Sequence, residues 1–400
     1  MKVAVVGGGL AGLAAALDLV DGGHAVTVYE VRPTLGGAVQ TLPEREGDPE
    51  PPPDNGQHIA LGCFTEYLRF LDRIGEGGSL LRTRLGLPAI DEDGRVATIA
   101  PSLTTLLRYR HLTARDRLRI PLVTARCRNA QAHPSETFGQ LLRRLGASDA
   151  AVDRFWDVFI RPALNLPADV VDAEAGLFTV RTALLGPRAN SDLILPLKPL
   201  GWMHGDAAGR VLGDRVRLDQ RVESLDELEA DAIVVAVPPR ESARLLGEED
   251  PGLEDSPIVS VHLWFDRPLL EQPLAALLGS DAHWVFDRGA LTGSRPERGQ
   301  YLTVVSSGVP ELLEVRGREL VERIAGQLTE RLGEAELLWS RVSREPYATI
   351  ALRPGVERPG VATERSNVVR AGTWTDTGWP ATMESAVRSG RRAAQHILSV

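Results

Sequence analysis

The sequence predicts an α/β protein in which a Rossmann-like nucleotide-binding domain is joined to a second domain of mixed sheet and helices. Two observations indicate this fold class. The apolar run at residues 2–6 leads through a glycine-rich turn into an alanine- and leucine-rich stretch, the strand, turn and helix of a nucleotide-binding unit. Further along, apolar strand patterns alternate with helical patterns, and 400 residues suffice for two or three domains.

The first glycine turn has the spacing of a dinucleotide-binding motif. Gly7 permits the tight turn, Gly9 lets a pyrophosphate approach the backbone, and Gly12 allows the helix to pack closely on the strand. A second strand at residues 25–29 ends in Glu30, where a carboxylate accepts ribose hydroxyls. Because the helix N-terminus faces the anion, the predicted binding residues of this unit are Gly7, Gly9, Leu10, Ala11, Gly12 and Glu30.

A second glycine turn follows Glu30 directly, since residues 32–37 read Arg-Pro-Thr-Leu-Gly-Gly. This arrangement resembles the superfamily of FAD-dependent amine oxidases and phytoene desaturases, which implies FAD as the cofactor. In that superfamily an arginine usually follows the glycine pair and reaches the FAD pyrophosphate, whereas this chain has Ala38. The helix N-terminus after Gly9 must then supply more of the phosphate binding. The resemblance adds Val31, Arg32, Gly36, Gly37 and Ala38 to the predicted binding residues.

The C-terminal segment resembles the flavin-binding end of the same superfamily. A short strand begins at residue 368, a glycine-rich stretch follows, and Pro380 suits the first turn of a final helix. The resemblance implies that free amides at the start of this helix face the flavin ring carbonyl near N1. Thr373 stands where the superfamily usually has aspartate, and it bonds a ribityl hydroxyl more weakly. The predicted binding residues here are Gly372, Thr373, Trp379, Pro380, Ala381, Thr382 and Met383.

The middle of the chain resembles the superfamily's return to the FAD domain. The strand at 231–239 contains Ala236, and Val222 is implied to contact adenine through its backbone. The FAD-binding domain is therefore predicted to be discontinuous, with residues 1–84, 196–255 and 345–400. The substrate-binding domain is predicted to hold residues 85–195, mostly helical, and 256–344, with strands at 258–265, 283–286, 301–306 and 337–342 and a helix at 311–332.

Within the superfamily, several segments resemble one family, the hydroxysqualene dehydroxylases of bacterial squalene biosynthesis. These segments are residues 54–58 (Asp-Asn-Gly-Gln-His) with 61–63, and residues 257–266, 283–288 and 377–384. The resemblance spans nearly the whole chain. It implies an isoprenoid substrate, hydroxysqualene, whose allylic tertiary hydroxyl is removed reductively by hydride transfer from reduced flavin to give squalene. It also adds Asn55, Gly56 and Gln57 to the predicted cofactor-binding residues.

Loss of an allylic hydroxyl requires an acid, a dry apolar site and a hydride donor. His58 is the candidate acid, and Asp54 is the candidate residue that orients it. Each has a structural alternative, because His58 can orient the flavin loop and an aspartate before Asn-Gly is a common turn former. His262 and His283 lie in apolar strands and are predicted to be hydrogen-bonded core histidines. The aromatic side chains that either line a polyene tunnel or belong to the core are Trp264, Phe265, Trp284 and Phe286.

The FAD motifs leave the direction of hydride transfer open, because the same geometry serves donation and acceptance. The alternative function is an oxidative desaturase or amine oxidase that acts on an isoprenoid or an amine. A further alternative is a flavin-retaining lipid-binding protein without turnover. Ala38 and Thr373 support it, since each loses a usual cofactor contact.

Composition and charge restrict the partners. The balance of 45 basic and 54 acidic residues gives a net charge of −9, which argues against a nucleic acid partner. Two cysteines and no metal-ligand spacing predict no disulfide framework and no metal site. We expect a cytoplasmic protein without a membrane span. The reductive reaction also implies an electron donor, which the sequence does not identify.

One stretch departs from the acidic average. Residues 101–128 contain seven arginines and one acidic residue, Asp116, with leucines interleaved. This pattern predicts a helix pair that contacts an anionic membrane peripherally, on its inner face. The alternative is a solvated arginine-rich face.

Overall fold

In the computed structural model, which describes residues 1–399, five short strands form a parallel sheet. Strands from the beginning, the middle and the end of the chain lie side by side in it. Their order is Val368–Arg370, Ala232–Val235, Lys2–Val6, Ala25–Tyr29 and Val216–Arg217. Residues 3–6 of the central strand and the strand Ala232–Val235 beside it are short runs of valine, isoleucine and alanine with buried side chains, as expected for a parallel sheet covered on both faces. The predicted α/β fold is confirmed.

The first and last helices pack closely against this sheet and against each other. A Cβ atom on Gly12 would lie 1.9 Å from the Gly7 carbonyl oxygen, so only glycine permits this contact of helix and strand. A Cβ atom on Gly390 would lie 2.0 Å from the Ala11 carbonyl oxygen. The helix Met383–Leu398 therefore crosses the helix Leu10–Asp21 at backbone contact, and the two ends of the chain belong to one unit.

Seven strands form a second, mixed sheet. Their order is Leu337–Ile350, Asp255–Phe265, Gln300–Ser307, Trp284–Asp287, Leu274–Leu277, Leu87–Ile90 and Val96–Ile99. All pairs are antiparallel except that of Leu274–Leu277 with Leu87–Ile90. The outer face of this sheet packs on the helix Gly317–Leu332. The inner face shares a hydrophobic core with the nucleotide-binding unit.

Three antiparallel strands, Ala60–Leu61, Leu193–Pro196 and Leu80–Thr83, form a small sheet. The remaining helices are Thr65–Arg73, Leu103–Arg108, Ala114–Cys127, Phe138–Arg144, Asp149–Ala151, Asp157–Leu164, Ala173–Thr179, Ala207–Leu212, Pro239–Leu246, Arg288–Thr292 and Pro310–Leu313. None of the helices in residues 1–399 is long and apolar enough to span a bilayer.

Several predicted boundaries differ from the structure. The strand Leu193–Pro196 crosses the predicted boundary at 195 and pairs with residues 60–83, and the strand Leu337–Ile350 continues past residue 344. The helix predicted over 311–332 is interrupted and resumes at Gly317. The final helix begins only at Met383, so Pro380 precedes it. Residue 400, the last of the predicted FAD-binding range, lies outside the described residues.

Candidate active site

The two glycine turns contact each other and form a cradle at the start of the first helix. The Gly36 amide donates a 2.8 Å hydrogen bond to the Gly8 carbonyl, and a Cβ atom on Gly37 would lie 2.8 Å from the Gly9 Cα. No side chain caps the helix that begins after Gly9, so its first amides remain free for an anion. A diphosphate fits a cradle that has free amides and space that any side chain would fill.

Glu30 holds both turns in place. Its buried carboxylate accepts hydrogen bonds from the Gly8 amide at 2.6 Å and from the Arg32 amide at 2.9 Å. The Arg32 guanidinium in turn donates to the Gly37 carbonyl at 3.3 Å. Val31 and Ala38 are exposed beside this site. Arg32 therefore places a cation next to the glycine pair, where Ala38 provides none.

We expect Arg32→Ala to lower the affinity for FAD about tenfold, because one charge-assisted contact to a phosphate contributes roughly 1.5 kcal/mol. The measurement is titration of the apoprotein with FAD, followed by flavin fluorescence. Arg45→Ala is the matched control, since Arg45 is also exposed but its side chain makes no hydrogen bond among residues 1–399. Equal affinities for the two variants would show that Arg32 does not contribute.

The predicted adenine-side segment lies against Glu30. The Gln220 amide donates to the Glu30 carbonyl at 2.9 Å, and Val222 is buried with Val6 and Val235 of the parallel sheet. The Val222 carbonyl accepts a hydrogen bond from Arg244 at 3.3 Å. A Cβ atom on Gly7 would lie 2.3 Å from the Ala236 carbonyl oxygen, so these two residues are in close contact. Gly7, Glu30 and Ala236 each follow a strand of the parallel sheet directly, so they lie together at the carboxyl end of the sheet.

At the C-terminal end, Thr382 caps the last helix by accepting a hydrogen bond from the Ser385 amide. The Gly372 amide donates to Ser389 of the same helix at 2.9 Å, which places Thr373 beside it, half-buried. Pro380 and Ala381 are buried just before the helix, with Met383 as its first residue. The Trp379 ring contacts Phe64 and Phe178 edge-on, and the Arg388 guanidinium lies 4.7 Å from its centroid.

The loop at residues 54–57 is held beside the second glycine turn. The Asn55 side-chain amide donates to the Ala38 carbonyl at 2.8 Å. Asp54 accepts hydrogen bonds from the Thr41 hydroxyl and the Leu200 amide, both at 2.8 Å. The carboxylate of Asp54 bonds to these groups and to an arginine and makes no hydrogen bond to His58 among residues 1–399, which favours the structural alternative for Asp54 over orientation of His58.

That arginine, Arg288, is a residue of the candidate site that the sequence analysis did not predict. Its guanidinium is 1 % exposed, lies 2.9 Å from the Asp54 carboxylate and donates to the Gln57 side chain at 2.8 Å. Burial raises the pKa of Asp54, and the guanidinium opposes that rise. A charged residue directly after the apolar strand Trp284–Asp287 was the available signal. This signal alone does not identify Asp54 as the partner, because the two residues lie more than two hundred positions apart in the sequence.

Three further polar side chains face this loop from the inner face of the mixed sheet: Ser260, His262 and Tyr301. A Cβ atom on Gly56 would lie 3.1 Å from the Ser260 hydroxyl. Among residues 1–399, the Ser260 hydroxyl, His262 Nε2, the Tyr301 hydroxyl and Arg288 Nε have no hydrogen-bond partner although all are buried. Because unpaired buried polar atoms are costly, this cluster indicates a place where a polar ligand group binds. We call these four side chains the polar cluster.

Desolvation lowers the pKa of the histidines of this region. His58 is half-buried, and desolvation lowers its pKa to about 4, which favours its structural alternative over the role of acid. Burial lowers the pKa of His262 to about 3, and its Nδ1 lies 3.0 Å from the Thr303 hydroxyl. His283 Nδ1 accepts a hydrogen bond from the Ser307 amide at 3.1 Å.

Aromatic side chains divide between the two faces of the mixed sheet. Trp284 and Phe286 stack with a centroid distance of 6.2 Å on the inner face. Trp264 also belongs to this face but donates its indole N–H to the Arg298 carbonyl at the edge. Phe265 packs in the outer core beneath the helix Gly317–Leu332, so the suggestion that it lines a tunnel is wrong.

Comparison with known proteins identifies the family of this chain. Residues 10–398 match the family described as flavin containing amine oxidoreductase. The chain belongs to this family. It is therefore a FAD-dependent oxidoreductase, and the cradle described above is a fitting place for the FAD diphosphate. Family membership favours an enzyme over the alternative of a lipid-binding protein without turnover.

Two relatives are named hydroxysqualene dehydroxylase. That of Sinorhizobium fredii is 29 % identical, covering 100 % of this chain and 98 % of the relative. That of Rhodopseudomonas palustris is 29 % identical, covering 99 % and 98 %. The zeta-carotene desaturase of Arabidopsis thaliana is 24 % identical over 99 % of this chain and 85 % of its own. An oxidoreductase structure from Methanosarcina mazei superposes with a TM-score of 0.75 at 19 % identity, covering 99 % of this chain and 100 % of the other, which supports the fold.

Proposed function

We propose that the enzyme reductively removes the tertiary allylic hydroxyl of hydroxysqualene, or of a closely related isoprenoid alcohol. One observation carries this proposal: Ser260, His262 and Tyr301, three of the four buried side chains with unpaired atoms, lie on the same sheet face as the apolar Trp284 and Phe286. The fourth, Arg288, directly follows the strand that carries both rings. A long hydrocarbon with one hydroxyl has the matching chemistry. The two full-length relatives with that name support the choice of substrate.

In this reaction the carbon–oxygen bond breaks, a carbon–hydrogen bond forms, and the hydroxyl leaves as water after gaining a proton. Bound, reduced FAD supplies the hydride. The alcohol, one hydride and one proton therefore balance the hydrocarbon product and one water. The chain's own contribution is to bind the hydroxyl, provide a proton or hydrogen bond to it and keep other water away.

The polar cluster provides those contacts. Burial raises the pKa of Tyr301, so its phenol stays protonated at neutral pH and can donate to the substrate oxygen. The Ser260 hydroxyl and Arg288 Nε add further donors. Trp284 and Phe286, both less than a tenth exposed, exclude water and pack against the chain of the isoprenoid.

The alternative reactions fit these groups less well. An amine substrate is a cation at neutral pH, and Asp54, the carboxylate beside the polar cluster, is already paired with Arg288 and offers it no free counter-ion. A hydrocarbon without a hydroxyl, the substrate class of an oxidative desaturase, would leave the polar cluster unpaired. Sites built to bond a hydroxyl discriminate strongly against analogues that lack it. Dehydroxylation is therefore favoured over amine oxidation and desaturation.

The test is an anaerobic half-reaction. The FAD-loaded protein is reduced with dithionite, hydroxysqualene is added, and flavin absorbance is followed together with product analysis. We expect the flavin to reoxidise as squalene forms. A flavin that stays reduced with hydroxysqualene, while oxidised enzyme is bleached by an amine or a polyene, would overturn the proposal in favour of the oxidase or desaturase alternative.

The pH dependence separates Tyr301 from His58 as the group that assists departure of the hydroxyl. With a pKa of about 4, the protonated fraction of His58 falls tenfold per unit above that pH. Tyr301 stays protonated over the same range, because burial raises its pKa. We therefore expect the single-turnover rate to change less than about twofold between pH 6 and 8.

Variants complete this test. We expect Tyr301→Phe to slow the single turnover about a hundredfold, within the range of general acid–base effects, and His58→Ala to retain most activity with an unchanged flavin spectrum. A rate that falls tenfold per pH unit, together with an inactive His58→Ala variant, would return the acid role to His58.

A further inference from the structure

The helices Leu103–Arg108 and Ala114–Cys127 present an unusual outward surface. Four large apolar side chains on them, Leu103, Leu107, Leu118 and Leu122, are 46 to 68 % exposed. The first helix has no buried residue, and the second is separated from it by a short turn. We call this outward surface, with the arginines of residues 101–128, the arginine–leucine surface.

The longer helix has two opposite faces. Asp116, Ile120, Val123 and Cys127, spaced by four, three and four residues, are buried against the protein. The opposite strip holds Leu118, Pro121, Leu122 and Ala125, all exposed. A helix has 3.6 residues per turn, so arginines border this apolar strip on both sides. On one side lie Arg115, Arg119 and Arg126, and on the other lie Arg117 and Arg128. An exposed apolar strip between two rows of cations is the pattern of a helix lying in a membrane interface.

The positive charge of this surface is not neutralised by carboxylates among residues 1–399. None of the seven arginines forms an ion pair with a carboxylate among residues 1–399, although other arginines do so throughout the fold. Arg117 and Arg126 bond only to the backbone carbonyls of Leu107 and Leu145. Asp116, the one acidic residue of the stretch, turns inward and accepts from Thr113 and Ser148. The surface is therefore strongly cationic on a chain of net charge −9.

We infer that the arginine–leucine surface docks on an anionic phospholipid bilayer. Lipid phosphates match the arginines, and the headgroup boundary accommodates the four exposed leucines, which a purely polar partner would leave in water. The remaining surface, being acidic, is repelled by the same bilayer, so docking has one orientation. This inference rests on the surface alone and stands whether or not the proposed reaction is correct.

The experiment is co-sedimentation of the full-length, FAD-loaded protein with vesicles. One set contains phosphatidylcholine alone, and the other contains an equimolar mixture with phosphatidylglycerol. We expect binding to the anionic vesicles, little binding to the neutral ones, and loss of binding as salt is raised. Equal binding to both sets, or no binding to the anionic set, would overturn the inference.

Two double variants test the two components of the surface. Arg115→Gln with Arg119→Gln is expected to weaken vesicle binding about twenty-five-fold, since each interfacial arginine contributes roughly fivefold. Leu118→Gln with Leu122→Gln is expected to weaken it at least about tenfold. The matched controls are Arg69→Gln with Arg318→Gln and Leu338→Gln with Leu398→Gln, which alter exposed residues elsewhere.

We expect both control pairs to bind vesicles like the unaltered protein, and all variants to keep the flavin spectrum. Equal weakening by a control and its test pair would overturn the assignment of this surface. If the protein bound soluble polyglutamate as tightly as vesicles, and the leucine changes did not weaken that binding, the partner would be an acidic macromolecule and not a bilayer. If the protein formed a dimer in lipid-free solution and the leucine changes dissociated it, the partner of this surface would be a second copy of this chain.

Discussion

Alanine in place of Gly12 is expected to abolish FAD binding at ordinary cofactor concentrations. The new Cβ atom would lie 1.9 Å from the Gly7 carbonyl oxygen and 3.1 Å from its carbon, both rigid backbone atoms. The helix Leu10–Asp21 must then move away from the strand Lys2–Val6. Its free N-terminal amides move with it and leave the cradle made with Gly37.

We expect at least a hundredfold loss of FAD affinity, equivalent to about 2.7 kcal/mol, and a loss of unfolding free energy of about 1–3 kcal/mol from overpacking. The measurements are FAD titration and urea denaturation of the apoprotein. The matched control is Gly326→Ala in the helix Gly317–Leu332, where a Cβ atom meets nothing within 4 Å. That change is expected to stabilise by about 0.5–1 kcal/mol. Normal FAD affinity in the Gly12 variant would contradict the geometry of the cradle.

Methionine in place of Arg288 is expected to destabilise the protein by about 3–5 kcal/mol, because it leaves the carboxylate of Asp54 buried without its cation. Both partners of this ion pair are at most 2 % exposed, so water cannot take over the role of the guanidinium. The loss is expected to appear in urea denaturation of the FAD-loaded protein at pH 8. Arg318→Met is the control, because it breaks an ion pair whose partners are 91 and 64 % exposed and should change stability by less than about 0.5 kcal/mol.

The effect depends on pH in a defined direction. Burial raises the pKa of Asp54, and Arg288 is the largest opposing influence, so in the variant the folded-state pKa exceeds that of the unfolded chain. The folded variant then binds more protons above pH 4, and its unfolding free energy falls as the pH rises. The loss of unfolding free energy caused by Arg288→Met is therefore smaller at pH 5 than at pH 8. Adding Asp54→Asn to the variant should recover most of the loss at pH 8, and a double variant no more stable than the single one would contradict the pairing.

Local patterns were sufficient for the nucleotide-binding half. The turns at Gly7–Gly9 and Gly36–Gly37 depend on backbone geometry that a few neighbouring residues dictate, and the apolar runs beside them match strands of the structure. The second glycine turn, through its resemblance to the FAD-dependent amine oxidases, also predicted correctly that FAD is the cofactor. Strand patterns near residues 258, 284 and 301 were recognised for the same reason, because alternation of side chains is readable within one strand.

The substrate half shows which features such local patterns cannot predict. Alternation separates Phe265 from His262 and Ser260, but it does not say which face turns toward the cofactor side. Arg288 reaches Asp54 and Gln57 across more than two hundred residues of sequence, so no local motif links them. The lowered pKa of His58 follows from desolvation, which depends on the assembled fold.

The sequence by itself predicted the fold class, because glycine turns and strand periodicity act over a few residues, and its resemblance to the FAD-dependent amine oxidases predicted the cofactor and the superfamily. Only the tertiary structure decided the partner of Asp54, the protonation of His58, and the buried position of Tyr301 and Ser260 in one polar cluster. It also decided that the arginines of residues 101–128 lack carboxylate partners. Each of these depends on contacts between distant segments and on exclusion of water, which arise only when the two sheets pack together.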